Sequence, residues 1–168
     1  MSYKEIGPEE LGNAFRMIGK EWMLVTAGDE RNFNSMTASW GGMGVMWFRN
    51  VVFVVLRPQR YTKEFVDREE RFSLSFYDRA YRKALTWMGT VSGRDDKDKM
   101  AKSGLTPVML EGVPAFAEAH TVLICRKLFA QEYDPASFLD PAVITQSYPE
   151  NDFHTLYVGE VEKVLVRE

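Results

Sequence analysis

Apolar positions along the chain recur with two different periods. In "RFSLSFYD" (71–78), Phe72, Leu74 and Phe76 alternate with Ser73, Ser75 and Tyr77, the two-residue period of a strand. "WMLVTAGD" (22–29) and the Val-rich "NVVFVVLRP" (50–58) are continuous apolar runs that read as strands, the second ended by Pro58. "NSMTASWG" (34–41) predicts a further strand after the polar turn "DERNFN", with a Gly-rich turn at "GGMG" behind it. "VPAFAEAHTVLICRKLFAQEYD" (113–134) is long enough for two strands or one bent strand. "FHTLYVGEVEKVLVRE" (153–168) alternates well enough to close a sheet.

The helical period appears between these runs. "GPEELGNAFRMIG" (7–19) predicts a short amphipathic helix with Pro8 in its first turn and Leu11, Phe15 and Ile18 on one face. "PQRYTKEFVDREE" (58–70) sets Tyr61 and Phe65 one turn apart, and "AYRKALTWMG" (80–89) does the same for Tyr81, Leu85 and Met88. "SGRDDKDKMAKSG" (92–104) predicts a short helix, with Ser92 and Asp95 resembling a capping box and Gly104 as C-cap. "PASFLDPAVITQSYPEND" (135–152) is a looser excursion. Strands outnumber helices and lie close together. The expected fold is mainly β, a closed or nearly closed barrel with inserted helices.

Composition narrows the function classes. A chain of 168 residues suggests one domain over 1–168. A formal net charge of -3 argues against generic nucleic-acid binding. With 1 Cys, Cys125, no internal disulfide forms, and Cys125 reads as a small core hydrophobe. The start "MSYKEIGPEE" carries no signal-peptide core, and no apolar run is long enough to span a bilayer. A cytoplasmic protein with no membrane partner is expected. The 2 His residues, His120 and His154, are far apart in sequence, so no metal site is expected. His120 reads as a structural or turn residue, and His154 as a residue at a pocket mouth. No defensible spacing assembles a Ser/His/Asp or Cys/His nucleophile.

Two basic turns and one mixed strand carry the candidate chemistry. In "RPQRYTKEF" (57–65), Arg57, Arg60 and Lys63 crowd a predicted helix start, where unpaired N–H groups and Thr62 add donors. That set suits a phosphate monoester. A solvated basic face paired with Glu64, Asp67 and Glu69 is the competing reading. "SGRDDKDK" (92–99) offers Gly93, Arg94 and Lys99 near a second predicted helix start, against the reading of a capped surface helix. In "NSMTASW", alternation puts Met36, Ala38 and Trp40 on one face and Ser35, Thr37 and Ser39 on the other. Small hydroxyl-bearing residues let a flat heteroaromatic ligand lie close, although a barrel seam or dimer interface has the same pattern. "GGMGV" lacks the dinucleotide-binding spacing.

Taken in order, these segments resemble the flavin reductase-like, FMN-binding split-barrel family, flavoredoxin-like branch. The resemblance runs through "GKEWMLVTAGD", "FNSMTASWGGMGVMW", "RPQRYTKEF", "FSLSFYD", "KALTWMGTVSGRDDKDK", "GLTPV" and "DFHTLYVGEVEKVLV". It implies a six-stranded, Greek-key type split barrel with flanking helices, a homodimer with non-covalent FMN near the interface. By resemblance the flavin ring lies along Met36 to Trp40, near Thr37, Ala38 and Ser39, and Asn34 at the head of the strand is also a cofactor-binding residue. The phosphate falls to Arg57, Arg60, Tyr61 and Thr62, with Ser92, Gly93, Arg94 and Lys99 closing the site and His154 on the flavin side. The implied activity passes electrons from NAD(P)H through FMN to a small-molecule or protein acceptor. A flavin- or haem-binding protein without turnover is the alternative.

This chain departs from the family pattern at Met88, where relatives carry Cys, and at "FRN" (48–50) after the second Trp. Val91 replaces a Lys-like residue, and Phe153 replaces a Tyr before the late His.

Overall fold

The computed structural model describes residues 2–168. Its strands are β1 (Tyr3–Ile6), β2 (Met23–Gly28), β3 (Phe33–Ala38), β4 (Gly41–Met46), β5 (Arg49–Leu56), β6 (Arg71–Phe76), β7 (Pro107–Leu110), β8 (Val113–Phe116), β9 (Thr121–Glu132) and β10 (Thr155–Arg167). Eight of them form one sheet in the order β3-β2-β6-β9-β10-β5-β4, with β1 paired to β10. The remaining two, β7 and β8, make a separate hairpin. The sheet curls without joining its ends, which is a split barrel. It exceeds the implied six strands because β4 lengthens one edge and β1 pairs with the far end of β10.

Alternation along the strands divides two cores. Met23, Val25, Ala27, Met36, Ala38, Phe72, Leu74 and Phe76 belong to the barrel interior, with Val52, Val54 and Leu56 opposite. Leu24, Val122 and Ile124 project the other way, into a second cluster with the β7–β8 hairpin, Leu85 and Met88. Pairing of Val25 with both Met36 and Leu74 fixes this register. Cys125 lies fully inside the first core. Its thiol is pushed far above the ordinary range by burial.

Helices flank the barrel. After the short turn α1 (Ala14–Arg16), α2 spans Tyr61–Arg68, α3 Arg82–Thr90, α4 Lys99–Lys102 and α5 Pro141–Ser147. The helix expected over 7–19 is broken. Pro8–Glu10 forms one tight turn, and Asn13 starts a new one by accepting the Arg16 N–H at 3.2 Å. A five-residue π turn, Met17–Glu21, follows. This restart rotates Phe15 off the expected face, leaving it 90% exposed while Ile18 is buried. The helix expected over 92–104 shrinks to α4, because residues 92–98 form turns around Ser92 and Asp96. The Gly-rich turn expected at 41–44 is instead strand β4, whose glycines allow it to cross close over Phe53. The 113–134 run divides into β8 and β9.

Candidate functional site

Two adjoining cavities open beside β3, and Met36 and Arg60 line both. The larger, about 280 Å³, is walled by Met36–Trp40, Val55, Arg57, Arg60 and His154. The smaller, about 90 Å³, lies against the start of α2 and is lined by Asn34, Thr62, Ser92, Gly93 and Lys99 among others. One is a slot along a strand, the other a polar end-chamber.

Local chain chemistry builds the end-chamber. Pro58 and Gln59 turn the chain, the Arg60 N–H donates to the Arg57 carbonyl at 3.1 Å, and α2 begins at Tyr61. The Lys63 N–H donates to the Arg60 carbonyl at 2.9 Å, which leaves the N–H groups of Tyr61 and Thr62 to present positive charge at the helix start. Opposite, the Ser92 carbonyl receives the N–H groups of Asp95 and Asp96 at 3.1 and 3.0 Å. The Ser92 hydroxyl accepts from the Arg94 N–H at 3.2 Å, so the turn replaces the expected capping box. Gly93 lies directly on Asn34: a Cβ at 93 would fall 2.8 Å from Asn34 Oδ1.

The electrostatics are unbalanced. Lys99 is 3% exposed, and its Nζ donates to the Ser35 carbonyl at 2.7 Å. Burial, reinforced by Arg60, lowers its pKa to about 8. Arg60 donates to the Gly89 carbonyl at 2.9 Å. Among the described residues neither cation has an acidic partner, although Lys63 pairs with Asp67 and Arg94 with Glu64. The Asn34 amide nitrogen is buried and also lacks a partner. One buried and one half-buried cation with an unmatched donor around one small chamber suit an anion.

Several expected contacts take other roles. The Thr37 hydroxyl donates to the Leu85 carbonyl of α3, so this residue offers the slot its main chain rather than its hydroxyl. Ser35 faces away from the slot and bonds Thr26 at 2.8 Å. Arg57 is occupied by Asp152 and by the Ser147 carbonyl, the latter at 2.7 Å, so it secures the 135–152 excursion. Arg94 stands outside both cavities, 5.0 Å over the Tyr61 ring and paired with Glu64. Trp40 is 49% exposed at the edge of the larger cavity and tilts toward His154 at 5.2 Å.

His154 is buried and its Nδ1 lies 2.9 Å from the Tyr148 hydroxyl. Burial first, then Arg57, lower its pKa to about 4, so the ring is neutral at pH 7. Tyr148 and Asp152 escaped sequence reasoning, because "SYPEND" has no periodicity to place it. Gln59, whose amide donates to Asp152 at 2.7 Å, carried no signal either. His120 bonds its neighbour Thr121 at 2.8 Å, a structural role. Among the described residues no group of three or more His, Cys, Asp or Glu is placed to hold a metal ion, and no helix is long and apolar enough to cross a membrane.

Comparison with known proteins gives this geometry a context. Residues 15–168 match the model of the flavin reductase-like domain family. A search of curated protein sequences found no match. The chain is similar in structure to an FMN-binding domain of flavin reductases-like enzyme from Shewanella baltica OS155, with TM-score 0.72 and 20% identity over 98% of this chain and 77% of that one. It is similar to flavoredoxin of Desulfovibrio vulgaris (Miyazaki F), with TM-score 0.68 and 25% identity over 98% and 76% of the two chains. An NADH:FAD oxidoreductase of Streptomyces globisporus, solved with NAD and FAD fragments, gives TM-score 0.65 and 19% identity over 88% and 74%. With a match spanning residues 15–168 and a split barrel to carry it, the chain belongs to the flavin reductase-like domain family.

Proposed function

We propose that this protein binds FMN non-covalently in the paired cavities and works as a flavin reductase or flavoredoxin-like electron carrier. The observation that carries the reading is Lys99, a buried cation beside Arg60 with no carboxylate partner, facing the unmatched amide of Asn34. A terminal phosphate would answer all three. Arg60, Lys99, Asn34, Thr62 and the first N–H groups of α2 would hold it, with Ser92 and Gly93 closing the chamber. The main chain of Met36–Trp40 would line one side of the ring. The small volume of the end-chamber, about 90 Å³, supports a monophosphate over the longer chain of FAD.

When bound, FMN supplies the redox chemistry, accepting a hydride from NAD(P)H and handing electrons to an acceptor. The chain's own part is to bind, orient and exclude water. It presents donors and no strong base, because a pKa of about 4 makes His154 a weak proton acceptor whose Nδ1 is already engaged by Tyr148.

A homodimer is part of the same reading. Phe15, Ile18, Trp40 and Met43 line one shallow cavity, and Met43 and Val45 continue into the next. That apolar stripe on the β4 side ends at Trp47 and Phe48, which are 51% and 104% exposed. A second copy of this chain suits it. A single domain in the cytoplasm is the setting we infer, supported by a lone reduced Cys in the core.

The test is an FMN titration of the purified protein and of Arg60→Ala, followed by an NAD(P)H oxidation assay with free flavin. Loss of one charged contact weakens FMN by roughly 10- to 100-fold. Unchanged affinity in Arg60→Ala rejects the phosphate assignment. FMN binding without NAD(P)H oxidation selects the carrier over the reductase, and no FMN binding rejects both.

A further inference from the structure

His154 is held from one side only. Its Nδ1 is engaged by Tyr148, and its ring borders the larger cavity. Among the described residues Nε2 has no hydrogen-bond partner, yet it is not one of the buried polar atoms sealed without one. Nε2 therefore looks onto the open cavity.

Tyr148 decides where the imidazole proton sits. Tyr148 is 3% exposed, and among the described residues Nδ1 is its hydroxyl's partner. Had Nδ1 carried the proton, the phenol oxygen would accept, and its own hydrogen would be buried without an acceptor. That arrangement costs about 1–3 kcal/mol. The hydroxyl donates to Nδ1 instead, and the neutral ring carries its proton on Nε2.

The excursion holds Tyr148 firmly enough for this. Phe153 stacks on its ring at 4.9 Å, and Phe138 meets it edge-on at 5.7 Å. The Arg57 guanidinium lies over the same ring at 5.3 Å while donating to the Ser147 carbonyl. Asp152, bonded by Arg57 and Gln59, fixes the chain two residues before His154.

We propose that Tyr148 is a positioning residue, which fixes His154 as an Nε2–H donor facing the ligand in the larger cavity. The segment 135–152 is then a working part of the site. The ligand atom opposite is an acceptor, a carbonyl oxygen or an anionic atom of a flat heteroaromatic ring. The ligand's identity rests on the flavin reading above, whereas the tautomer does not. The charged groups around His154 are Arg57 and Arg60, which disfavour its protonation, and Asp152, which favours it. The two arginines prevail together with burial, so the donor persists across the physiological range.

Nitrogen NMR of protein labelled in histidine tests this, with His120→Asn assigning the two rings. The wild type is expected to show an Nε2–H tautomer at pH 7 with no titration between about pH 5 and 8. Tyr148→Phe, which keeps the ring packing, is expected to mix the tautomers and raise the titration midpoint. An Nδ1–H tautomer in the wild type overturns the proposal without any variant. So does a Tyr148→Phe protein with unaltered His154 signals. Saturation with FMN is expected to move the Nε2 signal, and bound FMN that leaves it unmoved overturns the donor role. A wild type that binds no FMN overturns the flavin reading, while the tautomer still decides the role of Tyr148.

Discussion

Lys99 Nζ donates to the main-chain carbonyl of Ser35 at 2.7 Å, from inside the protein and beside a second cation, Arg60. In the unfolded chain a Lys keeps its proton up to about pH 10.4. In the fold it is released near pH 8. Between these values the unfolded state binds more protons, so stability of the ligand-free protein rises with pH. Lys99→Met removes the buried charge and is expected to raise ligand-free stability at pH 7 by about 1–3 kcal/mol, while weakening FMN. Paired thermal melts and FMN titrations check both signs. A variant that is less stable yet binds FMN as before contradicts the assignment.

On the proposed reading, the same group is expected to give FMN binding a pH dependence. A phosphate needs the ammonium form of Lys99, whose pKa in the free protein is about 8. Affinity is expected to hold near pH 7 and to fall roughly tenfold by pH 9. Lys99→Met flattens this profile. Titrations in matched ionic strength read it directly, and a wild-type profile that stays flat to pH 9 removes Lys99 from the site.

Gly93 is where a single methyl group tests the chamber. Asn34 is 2% exposed, and a Cβ at 93 would press on its Oδ1 at 2.8 Å. Asn34 can yield only toward the chamber it lines, so Gly93→Ala is expected to cost about 1–3 kcal/mol and to weaken FMN by turning the amide. Melting temperature and FMN affinity should fall together. A drop in stability with full affinity would show that Asn34 plays no part in binding.

Thr37→Val separates a structural hydroxyl from a binding one. The Thr37 hydroxyl is committed to the Leu85 carbonyl of α3. Its loss is expected to cost about 1 kcal/mol of stability, with FMN affinity within about twofold of the wild type. Affinity loss well beyond that, at retained stability, would restore the hydroxyl as a ring contact.

Much of this was legible in the sequence, for a physical reason. Strict alternation in residues 71–78 and the Val-rich run at 50–58 impose one arrangement each, and β6 and β5 follow. The candidate stretches 34–40, 57–62 and 92–99 stand out in the sequence as polar or basic residues where an ordinary core or turn has little use for them. The cavities bring these stretches together around Met36 and Arg60. Partner choice was not legible. Arg57 and Arg60 look equivalent three residues apart, yet Arg57 meets Asp152 across 95 positions and Arg60 meets Gly89. Tyr148 was hidden likewise, because its importance comes from a packed excursion and not from local pattern. Residues 41–46 misled because Gly suggests a turn, while in β4 it lets one strand lie close over Phe53.

The tip between β4 and β5 sets the last prediction. Trp47 and Phe48 both adopt positive φ, 53° and 58°, in a two-residue hairpin turn. Such a turn favours Asn-Gly, and a bulky residue in that region costs about 1–2 kcal/mol. Folding of one chain gains little in return, since Phe48 is fully exposed and Trp47 reaches Phe129 only at 6.4 Å. Strain that presents two aromatic side chains to solvent fits a contact made with a second copy. Trp47→Asn combined with Phe48→Gly relaxes the turn. Its expected outcome is a stable protein that elutes at monomer mass in light-scattering chromatography, against the dimer mass expected of the wild type. A dimer that persists in the double variant, with higher stability, would place the subunit contact elsewhere on the barrel.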